Sequence, residues 1–283
     1  MSPLITTNEL AGMLRRESSP TVLDVRWRLQ GPPGRQDYER GHLPGAVFVD
    51  LDTELAAPSS GGGRHPLPEA DALEVTLRRA GVDSTLPVVI YDDGDGSAAA
   101  RAWWLLRWAG HGQVAVLDGG YAAWVAEDRP VTQEQPRPAP SDFRVEPGQL
   151  PVVEAEGAAR LAREGLLLDA RAPERYRGAH EPMDPRPGHV PGAVNAPFAE
   201  HVNSAGRWRS PAELADRFAD LGVTGDTPVG AYCGSGVTAC SVILALEQAG
   251  VSGPDNPPRL YAGSWSDWVS DPRRSAATGE QPG

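Results

Sequence analysis

The segment Val229-Gly230-Ala231-Tyr232-Cys233-Gly234-Ser235-Gly236-Val237-Thr238-Ala239-Cys240 holds both cysteines of the chain. A short β-like run delivers Cys233 into a glycine-containing loop, and that loop opens an apolar helix through Val242, Ile243, Leu244 and Leu246. A helix start offers unpaired N–H groups and the positive end of a dipole, so it favours the thiolate, which is the nucleophilic form of the side chain. Gly234 and Gly236 suit a loop that wraps amides around one sulfur, because side chains obstruct the backbone conformations required. Ser235 adds a hydroxyl beside the sulfur, and the amides of Val237 and Thr238 complete the loop. Two cysteines seven positions apart make no disulfide framework, so thiol chemistry is the expected use of Cys233. Cys240, about two helical turns further on, is expected to be buried and inert.

The elements that position this loop follow from length and repetition. A chain of 283 residues exceeds the size at which single cores usually stop growing, about 250 residues, so two domains are expected. The order Leu23-Asp24-Val25-Arg26, Gly41-His42-Leu43-Pro44-Gly45-Ala46, Val88-Val89-Ile90-Tyr91-Asp92 and Leu117-Asp118-Gly119-Gly120 recurs in the second half. There it reads Leu168-Asp169-Ala170-Arg171, Gly188-His189-Val190-Pro191-Gly192-Ala193, Val229-Gly230-Ala231-Tyr232-Cys233 and Leu260-Tyr261-Ala262-Gly263-Ser264. A repeat of this length implies duplicated domains. Short apolar runs alternating with helical patterns such as Arg101–Trp108 imply an α/β fold, each domain a parallel sheet flanked by helices. In the repeat register Asp92 stands where Cys233 stands, so only the second half carries the nucleophile. The expected boundaries are a first domain over 1–132, a proline-rich linker over 133–147 with few buried contacts, and a second domain over 148–283. The polar tail from Arg273 to Gly283 is expected to be mobile.

Composition narrows the partners. A net charge of -12 disfavours nucleic acid, and all 26 basic residues are arginine, so anion recognition must use guanidinium groups. No apolar run approaches the roughly 20 residues that span a bilayer. No secretory signal pattern is read at the amino terminus, and two free thiols fit a cytoplasmic, reducing location.

The Cys-Gly-Ser-Gly-Val-Thr loop, the paired Gly-His-x-Pro-Gly-Ala segments, the Asp-x-Arg strand ends and the terminal Gly-Ser-Trp-Ser-Asp-Trp resemble the two-domain rhodanese family of sulfurtransferases over nearly the whole chain. The mercaptopyruvate-using branch is the most similar. The resemblance implies two tandem rhodanese-like domains, the first inactive, and a cysteine that cycles through a persulfide without metal or organic cofactor. A small-molecule donor would load Cys233, and a small thiol, a thioredoxin-like protein or cyanide would accept the sulfur. It further implies Arg175, Arg177 and Arg186 as donor-binding residues, with Arg175 and Arg186 foremost, and a chain of Ser235, His65 and Asp52 that polarises the donor carbonyl from a cleft between the domains. Thiosulfate-preferring relatives resemble a loop with basic side chains after the cysteine, whereas Gly234-Ser235 is neutral; thiosulfate:cyanide transfer is thus the alternative. A phosphatase of this fold would need arginine at position 239, which is alanine. A sulfur-relay module docking a partner protein is the non-enzymatic alternative. His42, His189, Asp24, Arg26, Asp169 and Arg171 occur once per repeat, including the half without the cysteine, so they are read as fold-supporting. Trp103, Trp104, Trp108 and Trp124 are read as packing residues.

Overall fold

The computed structural model describes residues 1–59, 61–139, 141–253 and 255–283. The chain forms two compact units. The first comprises Met1–Ala57, Pro68–Gln149 and Asn203–Trp208, and the second Pro58–Leu67, Leu150–Val202 and Arg209–Gly283. Pro58–Leu67, early in the sequence, thus belongs with the later unit.

In the first unit β1 (Leu4–Ile5), β2 (Thr21–Asp24), β3 (Val47–Phe48), β4 (Val88–Tyr91) and β5 (Val114–Leu117) form one sheet in the order β1-β5-β4-β2-β3. In the second, β6 (Leu166–Asp169), β7 (Val194–Asn195), β8 (Val229–Tyr232) and β9 (Arg259–Leu260) are ordered β7-β6-β8-β9. Every strand pairing is parallel. The central strands are fully buried apolar runs, as expected of parallel sheets covered on both faces. A parallel bridge from Val152 to Leu260 stands where the first unit has β1 beside β5.

Each cysteine-type loop leads into a helix packed on its sheet, Ser97–Trp108 after β4 and Ala239–Gln248 after β8. Trp103, Trp104 and Trp124 are buried in the first unit, and Trp104 stacks on Trp108 at 6.2 Å between ring centroids. The Asp-x-Arg strand ends are buried ion pairs. Arg26 Nη2 lies 2.7 Å from Asp24 and donates to Gly41 O at 2.8 Å; Arg171 Nη2 repeats this with Asp169 at 2.7 Å and Gly188 O at 2.7 Å. Each pair thereby fastens a strand end to the Gly-His segment, the fold-supporting role expected of it.

The two Gly-His histidines also act alike. His42 stacks on Tyr38 and faces Tyr38 O at 2.9 Å and Glu134 O at 3.1 Å, while His189 stacks on Tyr176 and faces Tyr176 O at 2.8 Å and Pro282 O at 3.2 Å. Each pins a later segment of its own unit, around Glu134 in the first and around Pro282 in the second. Strand-like bridges from His42 to Thr132 and from His189 to Ala277 reinforce this. Two expectations therefore change. The proline-rich segment is not a loosely held linker: Phe143 is buried, Arg78 Nε donates to Phe143 O at 2.7 Å, and Glu146 N–H donates to Ala109 O at 3.0 Å. Pro140, within that segment, lies outside the described residues. The tail is likewise fastened, with Gly192 N–H on Pro282 O at 2.7 Å and Trp268 Nε1 on Ser275 O at 2.8 Å.

Candidate active site

Strand register fixes the site. Asp24 pairs with Tyr91 and Asp169 with Tyr232, so Asp92 and Cys233 each follow the last paired residue of the corresponding strand. Cys233 is buried at 1% exposure. Its Sγ accepts the Gly236 N–H at 3.1 Å, its own N–H donates to Ser264 Oγ at 3.0 Å, and its carbonyl accepts the Trp265 N–H at 2.9 Å. Gly236 can make this turn because it holds φ +87°; a β-carbon there would meet Ala262 O at 2.4 Å. The Val237 and Thr238 carbonyls accept from Cys240 and Ser241, each at 3.1 Å, and so start the helix. Cys240 is buried in its first turn, with its thiol toward Gly236 O at 3.4 Å.

The same loop in the first unit is filled by the chain's own carboxylate. Asp92 Oδ1 accepts N–H groups of Gly94 at 2.9 Å and Gly96 at 3.1 Å, and Oδ2 accepts that of Ala99 at 3.1 Å. An amide cradle of this kind holds one anionic group. Burial, with the neighbouring Asp95 charge, pushes Asp92 up to about 7 while those amides pull it down.

Over the Cys233 loop lies the segment 61–67. Gly63 packs so closely on Gly263 that a β-carbon would lie 2.8 Å from Gly263 O, and Arg64 N–H donates to Ser266 Oγ at 3.1 Å. This anchoring brings His65 Nδ1 to 2.8 Å from Ser235 Oγ, with both residues buried. The expected serine–histidine contact is thus made inside the second unit. Asp52 is in the first unit, in the helical turn Leu51–Glu54, where it accepts from Trp27 Nε1 at 2.9 Å.

The arginines divide. Arg175 lies at the loop: a β-carbon on Gly234 would stand 3.3 Å from its Nη1 and 2.9 Å from Arg64 Nη2. Arg175 Nε and Nη2 donate to Glu181 at 3.2 and 2.7 Å, and Nη2 also to Asp184 at 3.2 Å. Arg64 Nη1 bonds Asp184 from the other side. Arg186 instead donates to the carbonyls of Val269 at 3.3 Å, Asp271 at 3.0 Å and Arg274 at 2.9 Å, so its guanidinium holds the chain after the last helix. Arg177 closes the helix Pro173–Tyr176 through its backbone, and its guanidinium makes no hydrogen bond among the described residues. Burial pushes Asp184 above the usual carboxylate range against the pull of Arg64. Glu181 is held below that range: burial opposes this, but the bonds from Arg175 and the Met183 N–H outweigh it.

Sequence reading passed over Arg64, Glu181, Asp184 and Ser264. The first three meet only through folding. Ser264 left no signal, because the sequence register sets Gly263 opposite Gly120, and only the structure shows Ser264 in that place: Tyr121 N–H donates to Asp92 O as Trp265 N–H does to Cys233 O, and the residue before each holds positive φ, 53° at Gly120 and 57° at Ser264.

The rhodanese-like domain model matches twice, over residues 6–127 and 154–271. A protein of Pseudomonas aeruginosa named as a 3-mercaptopyruvate sulfurtransferase is 46% identical over 285 residues, covering 98% of each chain. One of Mycobacterium tuberculosis, named as a thiosulfate sulfurtransferase, is 43% identical over 98% of this chain and 97% of its own. The crystal structure of SseA from Escherichia coli, described as a 3-mercaptopyruvate sulfotransferase with the rhodanese fold, superposes with a TM-score of 0.82 at 30% identity over 94% of this chain and 100% of that one. With two matched domains, two parallel sheets of repeated design and relatives along its full length, the chain belongs to the rhodanese family.

Proposed function

We propose that the protein is a sulfurtransferase that moves sulfane sulfur from 3-mercaptopyruvate to a thiol through a persulfide on Cys233. The observation that carries this reading is the loop itself: a buried cysteine sulfur accepting the Gly236 N–H at 3.1 Å, beside a Ser235–His65 contact of 2.8 Å, with cationic groups outside the loop. The Cys233 thiolate attacks the donor sulfur. The carbon–sulfur bond breaks, its electron pair leaves as the pyruvate enolate, and the enolate carbon takes a proton to give pyruvate. Cys233 then carries the transferred sulfur as a persulfide, which backbone donors of the loop stabilise. An acceptor thiolate attacks the outer sulfur, forming its own persulfide and releasing the Cys233 thiolate. In this reading Ser235 and His65 polarise the donor carbonyl and handle its proton. Arg175 contributes positive charge for the donor carboxylate.

The relatives named for mercaptopyruvate support this donor, as does a loop without cations from Gly234 to Cys240. A second reading, thiosulfate as preferred donor, has the name of the Mycobacterium tuberculosis relative in its favour. Comparing kcat/KM for the two donors tests the choice: the expected outcome favours 3-mercaptopyruvate by at least tenfold, and equal or reversed values overturn it. Cys233→Ser is expected to abolish transfer in a folded protein. Intact-mass analysis after donor exposure should find one added sulfur on the wild type and none on the variant.

A further inference from the structure

The guanidinium edge best placed for a donor carboxylate is not the one that the sequence singles out. A carboxylate is gripped bidentately by two parallel N–H groups on one edge of an arginine. On Arg175 that edge, Nε with Nη2, is occupied by Glu181 at 3.2 and 2.7 Å, which leaves Nη1 toward the loop. On Arg64 the carboxylate of Asp184 takes Nη1 instead. Arg64 Nε is buried without a hydrogen-bond partner among the described residues, and Nη2, the other nitrogen of that edge, stands 2.9 Å from the β-carbon position on Gly234, next to the nucleophile. A buried donor with no partner is costly unless something binds it. The residue is also fixed at its backbone, by Arg64 N–H on Ser266 Oγ and by His65 on Ser235.

We propose that Arg64 is the principal donor-binding residue, presenting its Nε–Nη2 edge to the carboxylate of a 2-oxo acid, and that Asp184 is a positioning residue that holds the opposite side of the guanidinium. This rests on the sulfurtransferase reading above. Asp184 also sets the charge of the site. Arg64 and Arg175 at the loop, with Arg171 behind them, face three buried carboxylates, Glu181, Asp184 and Asp169, so the six charges sum to zero. With no net positive charge, such a site disfavours a doubly charged thiosulfate more than a monoanionic 2-oxo acid, because the uncompensated charge brought in is twice as large.

The test uses the full chain with 3-mercaptopyruvate and thiosulfate as donors and pyruvate as a non-reacting carboxylate probe, its binding read by calorimetry. Arg64→Lys keeps the charge but lacks the fork, and Arg64→Gln lacks both. Each is expected to raise the KM for 3-mercaptopyruvate and the Kd for pyruvate tenfold or more, with a smaller loss toward thiosulfate, whereas Arg175→Lys changes both constants less. Asp184→Asn is expected to shift donor preference toward thiosulfate at least threefold, which a merely structural loss would not do because it would lower both donors alike. Circular dichroism melting checks that each variant is folded. Folded Arg64 variants with KM and Kd within twofold of the wild type, or a larger effect from Arg175→Lys, overturn the assignment. A wild type that binds pyruvate through Arg64 yet transfers no sulfur overturns the sulfurtransferase reading and leaves Arg64 standing as a carboxylate site.

Discussion

Ser264 holds a left-handed backbone, φ 57°, at the place where the first unit uses Gly120. For a residue with a β-carbon this conformation costs about 1–2 kcal/mol. What the serine adds is a hydroxyl that accepts the Cys233 N–H at 3.0 Å and lies 4.0 Å from its sulfur. Ser264→Gly should therefore change the melting temperature little, since relieved strain offsets about 1 kcal/mol for each of the two lost hydrogen bonds, from the Cys233 N–H and to Tyr261 O, while sulfur transfer falls. Steady-state rates beside thermal melts would check this, and unchanged turnover would remove Ser264 from the site. Ser235→Ala and His65→Ala should each lower kcat/KM for 3-mercaptopyruvate on the order of 10²-fold, and less for thiosulfate, which has no carbonyl to polarise. Equal losses with both donors would count against the proposed role. Cys233 and Ser235 could be read from sequence because both lie in one continuous loop. Arg64 could not, because only the fold sets its Nη2 over Gly234.

Elements here are fastened by repeated devices. Gly236 makes the turn that lets the loop reach back to Cys233, and no other residue type fits its φ of +87° with Ala262 O so close. Gly236→Ala is expected to destabilise the protein by about 2–4 kcal/mol, from the left-handed backbone together with overpacking, as read by denaturant unfolding. The histidines His42 and His189 each hold a later segment of their own unit. His189→Ala should cost about 3 kcal/mol, from the lost ring packing and hydrogen bonds, and should expose residues 273–283 to limited proteolysis. A tail that stays resistant would show that Trp268 and the Gly192 bond suffice. The composition of both segments, rich in proline, glycine and charge, points to looseness. Composition does not reveal that backbone carbonyls at Glu134 and Pro282 meet ring nitrogens some ninety residues away.

At the scale of the whole molecule, two buried ionisable groups set opposite pH trends. Asp92 is pushed up to about 7 by burial, from an ordinary 3.8. Its proton is thus bound more tightly in the folded chain, so its contribution is full below 3.8 and is lost as pH rises through about 7. His201 is held down to about 3 by burial and by nearby Arg217 and Arg209, against an ordinary 6.5. Its contribution is present above 6.5 and is lost as pH falls toward 3. Melting temperatures measured from pH 4 to 8 should show Asp92→Asn flattening the decline between about pH 4 and pH 7, even though its amide cannot accept the Ala99 N–H and lowers the curve as a whole. A decline as steep as that of the wild type would mean that Asp92 is ionised throughout. In the second unit the equivalent loop position carries a sulfur in place of this carboxylate. No helix among the described residues is long and apolar enough to cross a membrane.

The sequence by itself determined the duplication, the parallel α/β design, the buried strands and the loop with its cysteine, because each rests on local pattern or on order along the chain. Tertiary structure alone decided the company that the cysteine keeps. Residues 58–67 leave the first unit to join the second, which sets Arg64 and His65 against Gly234 and Ser235. Glu181 and Asp184 then divide the guanidinium edges between them, and Arg186 turns away to bind carbonyls. These outcomes follow from burial and hydrogen-bond satisfaction among groups distant in sequence, a competition that spacing does not encode.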